Sequence, residues 1–389
     1  MPAQPRSTDM KYDVAGFIGR LQGVQDGHLR NIQKGLEKAQ IVQVMIGSRN
    51  VARDTRNPFT FEEREEVLRQ CIAERFPDEA HRIRIAPLDD TPYNKKAWIE
   101  QVQMVMRSAS SALRPRYSLV GNIRDATSEY LTWFPAYDYI PVSDSGTNAT
   151  AIRRAFFSGH VDFDSWSDEV DWRDVPRPTV DFLRKFRDKP VYAYLMKQLA
   201  AEIAYRKKWG EGPFQTVDGV VRYGDHILMI ERGGPEGTGM CGLPGGFLNA
   251  GEKTLWGAAR EVIEETGLFI TPENLGFLRT WLAACKKAEQ HNLPQPQMPD
   301  FVIEAIRKLI GYLVGRGERF DDPNRSRRGH LITEAYLFDL PVGLGFPPVQ
   351  GMDDAKDAYW KATSEIRPQE TFEDHAHIID YMLTHHASF

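Results

Sequence analysis

The sequence predicts an α/β chain in two parts, a parallel sheet covered by helices and then an α+β unit. Three observations carry this. Short apolar runs alternate with helix-period segments through the first half. From Phe214 the pattern changes to paired strands. Residues 254–266 then form an amphipathic segment loaded with glutamate.

Taken in order, Tyr12 to Ile18 reads as a strand, Leu29 to Ala39 as a helix and Ile41 to Ile46 as a strand. Phe61 to Ala73 reads as a helix, Arg82 to Pro87 as a strand, Trp98 to Ser108 as a helix and Tyr117 to Gly121 as a strand. Asp162 to Pro178, rich in Asp, Trp and Pro, reads as a connector, and Tyr192 to Trp209 as a helix able to bridge the halves. Thr216 to Arg222 and His226 to Glu231 flank Tyr223-Gly224-Asp225 as a strand pair. Further strands are expected near Gly276 to Thr280 and His330 to Asp339. The expected organisation is a disordered tail (1–10), a first domain (11–188), a linker helix (189–212) and a second domain (213–389) with an inserted helical segment near 281–318. Within the insertion Val302, Ala305, Ile306, Leu309, Ile310 and Leu313 form one stripe, suited to the core, a dimer face or a lid.

The glutamate-rich segment carries the chemistry. Leu255, Ala258, Ala259 and Val262 recur at helical spacing, so one stripe packs inward. Glu261, Glu264 and Glu265 stand at i, i+3 and i+4 and share a face. Three carboxylates that close repel one another, and Mg²⁺ or Mn²⁺ with hard oxygen ligands relieves the repulsion. Gly267 suits a left-handed helix cap, and the turn Leu243-Pro244-Gly245-Gly246 lets backbone carbonyls approach a metal. The competing reading is an acidic, solvated helix face.

Bulk properties narrow the class. With 389 residues there is room for two domains and a linker. A net charge of -5 implies no general nucleic-acid-binding surface. The three cysteines, Cys71, Cys241 and Cys285, lack metal-ligand spacing and fit a reducing, cytoplasmic setting. No run reaches the ~20 apolar residues of a membrane span. The His-rich end, Glu373 to His386, reads as a solvated terminal helix, with His375 and His377 on different faces.

Residues 246–268, GFLNAGEKTLWGAAREVIEETGL, fill every defined position of the Nudix box, and the second domain resembles the Nudix hydrolases. The resemblance implies metal-dependent hydrolysis of a nucleoside diphosphate linked to another moiety. It makes Glu261 and Glu265 the main ligands and Glu264 an additional one, with Gly246 contributing from the turn. Arg260 would orient a glutamate. Arg232 and Gly233-Gly234-Pro235 precede the box as in relatives that hydrolyse ADP-ribose. Residues 320–329, FDDPNRSRRG, resemble a substrate segment of the same relatives. There Arg325 or Arg328 could pair with phosphate or stack on adenine, or could belong to a surface salt-bridge cluster. Asp353 or Asp354 would be a carboxylate near the metals or a turn former.

The first domain carries a glycine-rich strand-to-helix turn, Gly19-Arg20-Leu21-Gln22-Gly23-Val24-Gln25-Asp26-Gly27-His28, suited to receive phosphate. Asn57 to Arg64, Asp90 to Asn94, Trp98, Leu119 to Gly121 and Asn148 to Arg154 agree with it. Together they resemble the nicotinamide mononucleotide adenylyltransferases of the nucleotidyltransferase superfamily, whose fold is a Rossmann-like parallel sheet. The likeness is to the bacterial bifunctional type in which that domain precedes a Nudix domain. Gly19, Arg20, Gln22, Gly27, His28, Thr150 and Arg153 match the family pattern for holding ATP as substrate. Gln25, Gly23, Leu21 and Asn122 depart from it. The implied ligands are small nucleotides: ADP-ribose, ATP and nicotinamide mononucleotide, with a homo-oligomer as an open possibility. The alternatives are a Nudix pyrophosphatase with an inert first domain, or a non-catalytic sensor of ADP-ribose or NAD.

Overall fold

A computed structural model describes residues 10–122, 126–143, 149–159, 163 and 170–386. The expected tail up to residue 9, Asn148 and much of the 162–178 connector lie outside the described residues. The chain divides into two compact units, Met1–Lys197 and Gln198–Phe389. No helix among the described residues is long and apolar enough to cross a membrane.

The first unit runs β1 (Tyr12–Gly19), α1 (Asp26–Leu36), β2 (Ala39–Ile46), α2 (Phe61–Arg75), β3 (Ile83–Pro87), α3 (Lys95–Ser108), β4 (Tyr117–Gly121), β5 (Asp138–Pro141), α4 (Ala149–Phe156) and α5 (Arg177–Phe186). The strands pair in parallel, in the order β3-β2-β1-β4-β5. Leu29, Ile32, Val44 and Leu68 fill one core, and Val14, Met45, Val102 and Met106 fill another, so apolar layers cover both faces of the sheet. The strand order reverses between β1 and β4. In such sheets that switch opens a crevice at the carboxyl ends of the strands, where ligands bind.

Helix α6 (Pro190–Trp209) spans the division between the units. The second unit continues with β6 (Phe214–Tyr223), β7 (His226–Arg232), β8 (Cys241–Gly242), β9 (Gly245–Phe247), α7 (Thr254–Thr266), α8 (Pro272–Gln290), α9 (Asp300–Ile310), β10 (Leu313–Phe320), β11 (Leu331–Leu340), β12 (Ala355–Ala362) and α10 (His375–His386). Its mixed sheet runs β10-β11-β6-β7-β12, with β8 on β7 and β9 on β6. The buried face of α7, through Ala258, Ala259 and Val262, joins Val217, Phe338 and the α9 stripe in one core.

Three expectations are corrected. Gly276 to Thr280 is not a strand but lies inside α8. Pro272 suits the first helical turn, and Leu278 and Leu282, four apart, face the core. The five residues Gly276-Phe277-Leu278-Arg279-Thr280 are too few for their pattern to separate the two states. The inserted segment is not helical to residue 318: α9 stops at Ile310, and Leu313 opens β10. Val302, Ala305, Ile306 and Leu309 are buried within their own unit. The terminal helix is not a solvated one, because Ile378, Ile379 and Met382 pack inward and His375 is buried with them.

Candidate active sites

Helix α7 gathers the acidic site. It ends at Gly267, whose φ of 61° is the left-handed cap that a side chain would strain. On its polar side Arg260 binds Glu252 with two nitrogens, at 2.8 and 3.0 Å. The same guanidinium donates to Glu261 at 2.7 Å and Glu264 at 2.9 Å. Glu265 instead accepts the Gly245 N–H at 2.9 Å. Gly246 lies so close to the cluster that a Cβ there would come 2.7 Å from the Glu261 carboxylate and displace it. All four box residues, Arg260, Glu261, Glu264 and Glu265, are buried.

Burial sets the electrostatics. It pushes the Glu261 carboxyl up to about 8 and Glu264 up to about 7, against the opposing pull of Arg260. Glu265 is raised well above the usual range by burial and by Glu261 beside it. Burial also works against the charge on Arg260, but the surrounding carboxylates outweigh it and hold the guanidinium protonated. Several carboxylates thus share one cation in a place with little water. Desolvated like charges with hard oxygen donors are the environment that a divalent cation stabilises. Among the described residues, no group of three ligands is already gathered as a finished metal cluster. One oxygen of each glutamate is held by Arg260 or Gly245, which leaves the second oxygen of Glu261, Glu264 and Glu265 as the candidate ligand. The donor set fits Mg²⁺ or Mn²⁺.

The flanking loops distinguish the remaining candidates. Asp353 adopts φ 48° and binds Lys286 at 2.8 Å, and its charge raises all three glutamates. Its neighbour Asp354 has a side chain 73% exposed, so Asp353 is the loop carboxylate beside the cluster. Arg232 lies over Phe372, 4.0 Å from guanidinium to ring centre, and its Nε donates to the Glu236 carbonyl at 3.0 Å. Glu265 acts on it electrostatically. Arg328 lies 5.3 Å from the same Phe372 ring and pairs with Glu373 at 3.1 Å. Arg325 is placed differently. Its side chain is 2% exposed and makes a two-pronged pair with Asp374 at 2.9 and 2.8 Å. That pair is a buried strut, so of the two candidates, Arg325 and Arg328, Arg328 is nearer to a ligand role.

In the first unit the glycine-rich turn connects β1 to α1 at the switch point. Leu21 (φ 51°) and Gly23 (φ 94°) bend it. His28 accepts the Gln25 N–H on Nδ1 at 3.1 Å, and burial pushes its imidazole down to about 4. The ring is therefore neutral with its proton on Nε2, a donor for a phosphate oxygen. Arg153 donates to the Gln22 carbonyl at 3.0 Å and to the Thr150 hydroxyl at 3.3 Å, and its charge acts on His28. His28, Thr150, Arg153 and the turn are thus brought together. The Gln22 amide is not turned to a ligand, since it exchanges two hydrogen bonds with the Phe59 backbone at 3.1 and 3.0 Å. Gln25 caps α1 by accepting the Gly27 N–H. Arg20 reaches Asn57 at 3.3 Å. Sequence reasoning gave Arg64 no role, yet it is fully buried and donates to the carbonyls of Arg20, Gly47 and Ser48, tying the ends of β1 and β2. An arginine in the first turn of a helix that follows a loop gives no signal of burial.

Residues 213–382 match the family model described as NUDIX domain, and residues 17–155 match the one described as Cytidylyltransferase-like. The chain therefore joins a cytidylyltransferase-like domain to a NUDIX domain. It is similar over 96% of its length to a bifunctional NMN adenylyltransferase/ADP ribose pyrophosphatase from Francisella tularensis, solved with AMP and a Mn ion, at 28% identity and TM-score 0.78, covering 99% of that chain. The halves have separate relatives. A nicotinamide/nicotinic acid mononucleotide adenylyltransferase from Acinetobacter baylyi is 28% identical over 49% of this chain and 96% of its own. An ADP-ribose pyrophosphatase from Methanocaldococcus jannaschii is 26% identical over 44% of this chain and 73% of its own.

Proposed function

We propose that this protein is a bifunctional enzyme of nicotinamide-dinucleotide metabolism. Its NUDIX domain hydrolyses ADP-ribose to AMP and ribose 5-phosphate. Its first domain transfers the adenylyl group of ATP to nicotinamide mononucleotide, giving NAD and pyrophosphate. The observation that carries the first activity is the buried Glu261, Glu264 and Glu265 on one face of α7, with Arg260 joining the first two to Glu252. A sensor has no need of so complete a set.

In the hydrolysis, water adds to one phosphorus of the diphosphate and the bridging P–O bond breaks. Glu261, Glu264 and Glu265 would hold Mg²⁺ or Mn²⁺, which supplies Lewis-acid charge and a more acidic water. Arg260 fixes Glu261 and Glu264, so their oxygens are set before substrate arrives. Arg232, held over the Phe372 ring, would offer its terminal nitrogens to a phosphate oxygen. Asp353, whose charge acts on all three glutamates, would take the proton of the attacking water.

In the transfer, a phosphate oxygen of the mononucleotide attacks the α-phosphorus of ATP and pyrophosphate leaves. No covalent enzyme intermediate is needed, so catalysis is positioning and charge stabilisation. Nε2 of His28, the Thr150 hydroxyl, Arg153 and the backbone of Gly19 to Gly27 make the cradle, with Arg20 at its rim. Two incubations test the reading: ADP-ribose with Mn²⁺, and ATP plus nicotinamide mononucleotide with Mg²⁺, each followed by chromatography of the products. Absence of AMP in the first removes the hydrolase, and absence of NAD in the second removes the transferase.

A further inference from the structure

The His-rich end of the chain is not explained by either reaction. Its entrance, residues 371–375, is engaged at every side chain. Thr371 donates to the Arg367 carbonyl, and Phe372 supports Arg232. Glu373, at φ 49°, pairs with Arg328, and Asp374 with Arg325. His375 accepts the Leu243 N–H on Nδ1 at 2.9 Å.

Leu243 begins the turn that faces the acidic helix. Two residues on, Gly245 donates its N–H to Glu265, and Gly246 lies against the Glu261 carboxylate. The turn has almost no slack. A Cβ on Gly245 would come within 2.2 Å of Asp218, and one on Gly242 within 3.2 Å of the His375 ring. We propose that His375 is a positioning residue for the metal-binding carboxylates: its Nδ1 fixes the Leu243–Gly246 turn, and the turn fixes Glu265. The inference rests on the reading of those carboxylates as a divalent-cation site.

The chemistry of the position requires this kind of acceptor. The Leu243 N–H is buried, and left without a partner it would pull the turn toward another acceptor. A leucine at 375 would fill the space beside Ile378 and Ile379 but could not accept the bond. Accepting the Leu243 N–H requires a lone pair on Nδ1, and burial lowers the affinity of the ring for a second proton. The adjacent Arg325–Asp374 pair pins the residue before it, which fixes the direction of the ring.

The test compares His375→Asn, His375→Gln and His375→Phe in the full chain. Mn²⁺ binding is measured by calorimetry, counting only the site lost in Glu265→Gln, beside thermal melts and ADP-ribose hydrolysis. An Asn amide oxygen falls where Nδ1 stands, whereas a Gln amide reaches toward the Nε2 position. His375→Phe is expected to bind Mn²⁺ on the order of 10-fold more weakly, the scale of lost support behind metal ligands. His375→Asn should recover most of the loss and His375→Gln should not. Equal Mn²⁺ affinity in the Asn and Gln variants, whatever their melting temperatures, overturns the proposal, and this comparison stands even if His375→Phe does not fold. A wild type that binds Mn²⁺ but leaves ADP-ribose intact refutes the substrate reading and not the role of His375. A wild type with no such Mn²⁺ site overturns both.

Discussion

Arg260 is the residue on which the acidic site turns. One guanidinium holds Glu252, Glu261 and Glu264, and it leaves Glu265 to a backbone N–H. Glu265→Gln keeps the shape and removes one ligand charge. ADP-ribose hydrolysis at limiting Mn²⁺ should fall ~100-fold, equivalent to ~2.7 kcal/mol of barrier. The melting temperature should hold or rise, because a desolvated charge is gone. An unchanged initial rate would remove Glu265 from the ligand set. The raised carboxyls also give stability a pH dependence. Glu261 titrates near 8 and Glu264 near 7 when folded, above their ordinary value of 4.5. Between those limits the folded protein holds more protons than the unfolded chain, so stability falls as pH rises through that window. Melts in chelator should therefore drop from about pH 5 to about pH 8, and Mn²⁺ should cancel the drop. A chelated melt that rises with pH over that range would contradict the assigned burial.

At the scale of elements, α1 and α9 make separate demands. The first turn of α1 is closed by Gln25 accepting the Gly27 N–H while His28 accepts the Gln25 N–H. Gln25 thus spends its oxygen as an acceptor on the helix, and its amide nitrogen is a neutral donor that brings no positive charge to phosphate. Gln25→His adds a ring donor where charge builds on the α-phosphate, and interactions realised there raise turnover more than affinity. The rate of NAD formation should increase more than the apparent affinity for ATP. A rate unchanged beside unaltered ATP binding would show that the native cap costs the reaction nothing. Helix α9 buries Ile306 completely. Ile306→Asp places a charge in that core and should destabilise the unit by about 4 kcal/mol or more, visible as a lower melting temperature. Much of this was legible in the sequence. The parallel strands, the glutamate face of α7 and the Gly267 cap follow from period and residue type, which are local. What was not legible depended on contacts far along the chain. Gly276 to Thr280 looks like a strand until Leu278 and Leu282 find the α7 core. Arg325 looks like a phosphate ligand until Asp374, forty-nine residues on, takes it. His375 looks solvated until Leu243 supplies the bond that buries it.

On the scale of the whole molecule, two units each carry a core and a site of their own. The residues proposed for the transfer, His28, Thr150 and Arg153, lie in one unit, and those proposed for the hydrolysis, Arg232, Glu261, Glu264, Glu265 and Asp353, lie in the other. Single substitutions should therefore separate the reactions. His28→Ala should abolish NAD formation and leave ADP-ribose hydrolysis within about twofold, and Glu265→Gln should lower only the hydrolysis, leaving NAD formation within about twofold. The most direct test of the central claim is the product analysis of wild-type protein with ADP-ribose, with and without Mn²⁺. AMP and ribose 5-phosphate are expected in equal amounts, formed only with the metal present. Intact ADP-ribose in the presence of Mn²⁺, or the same products at the same rate in chelator, would contradict it.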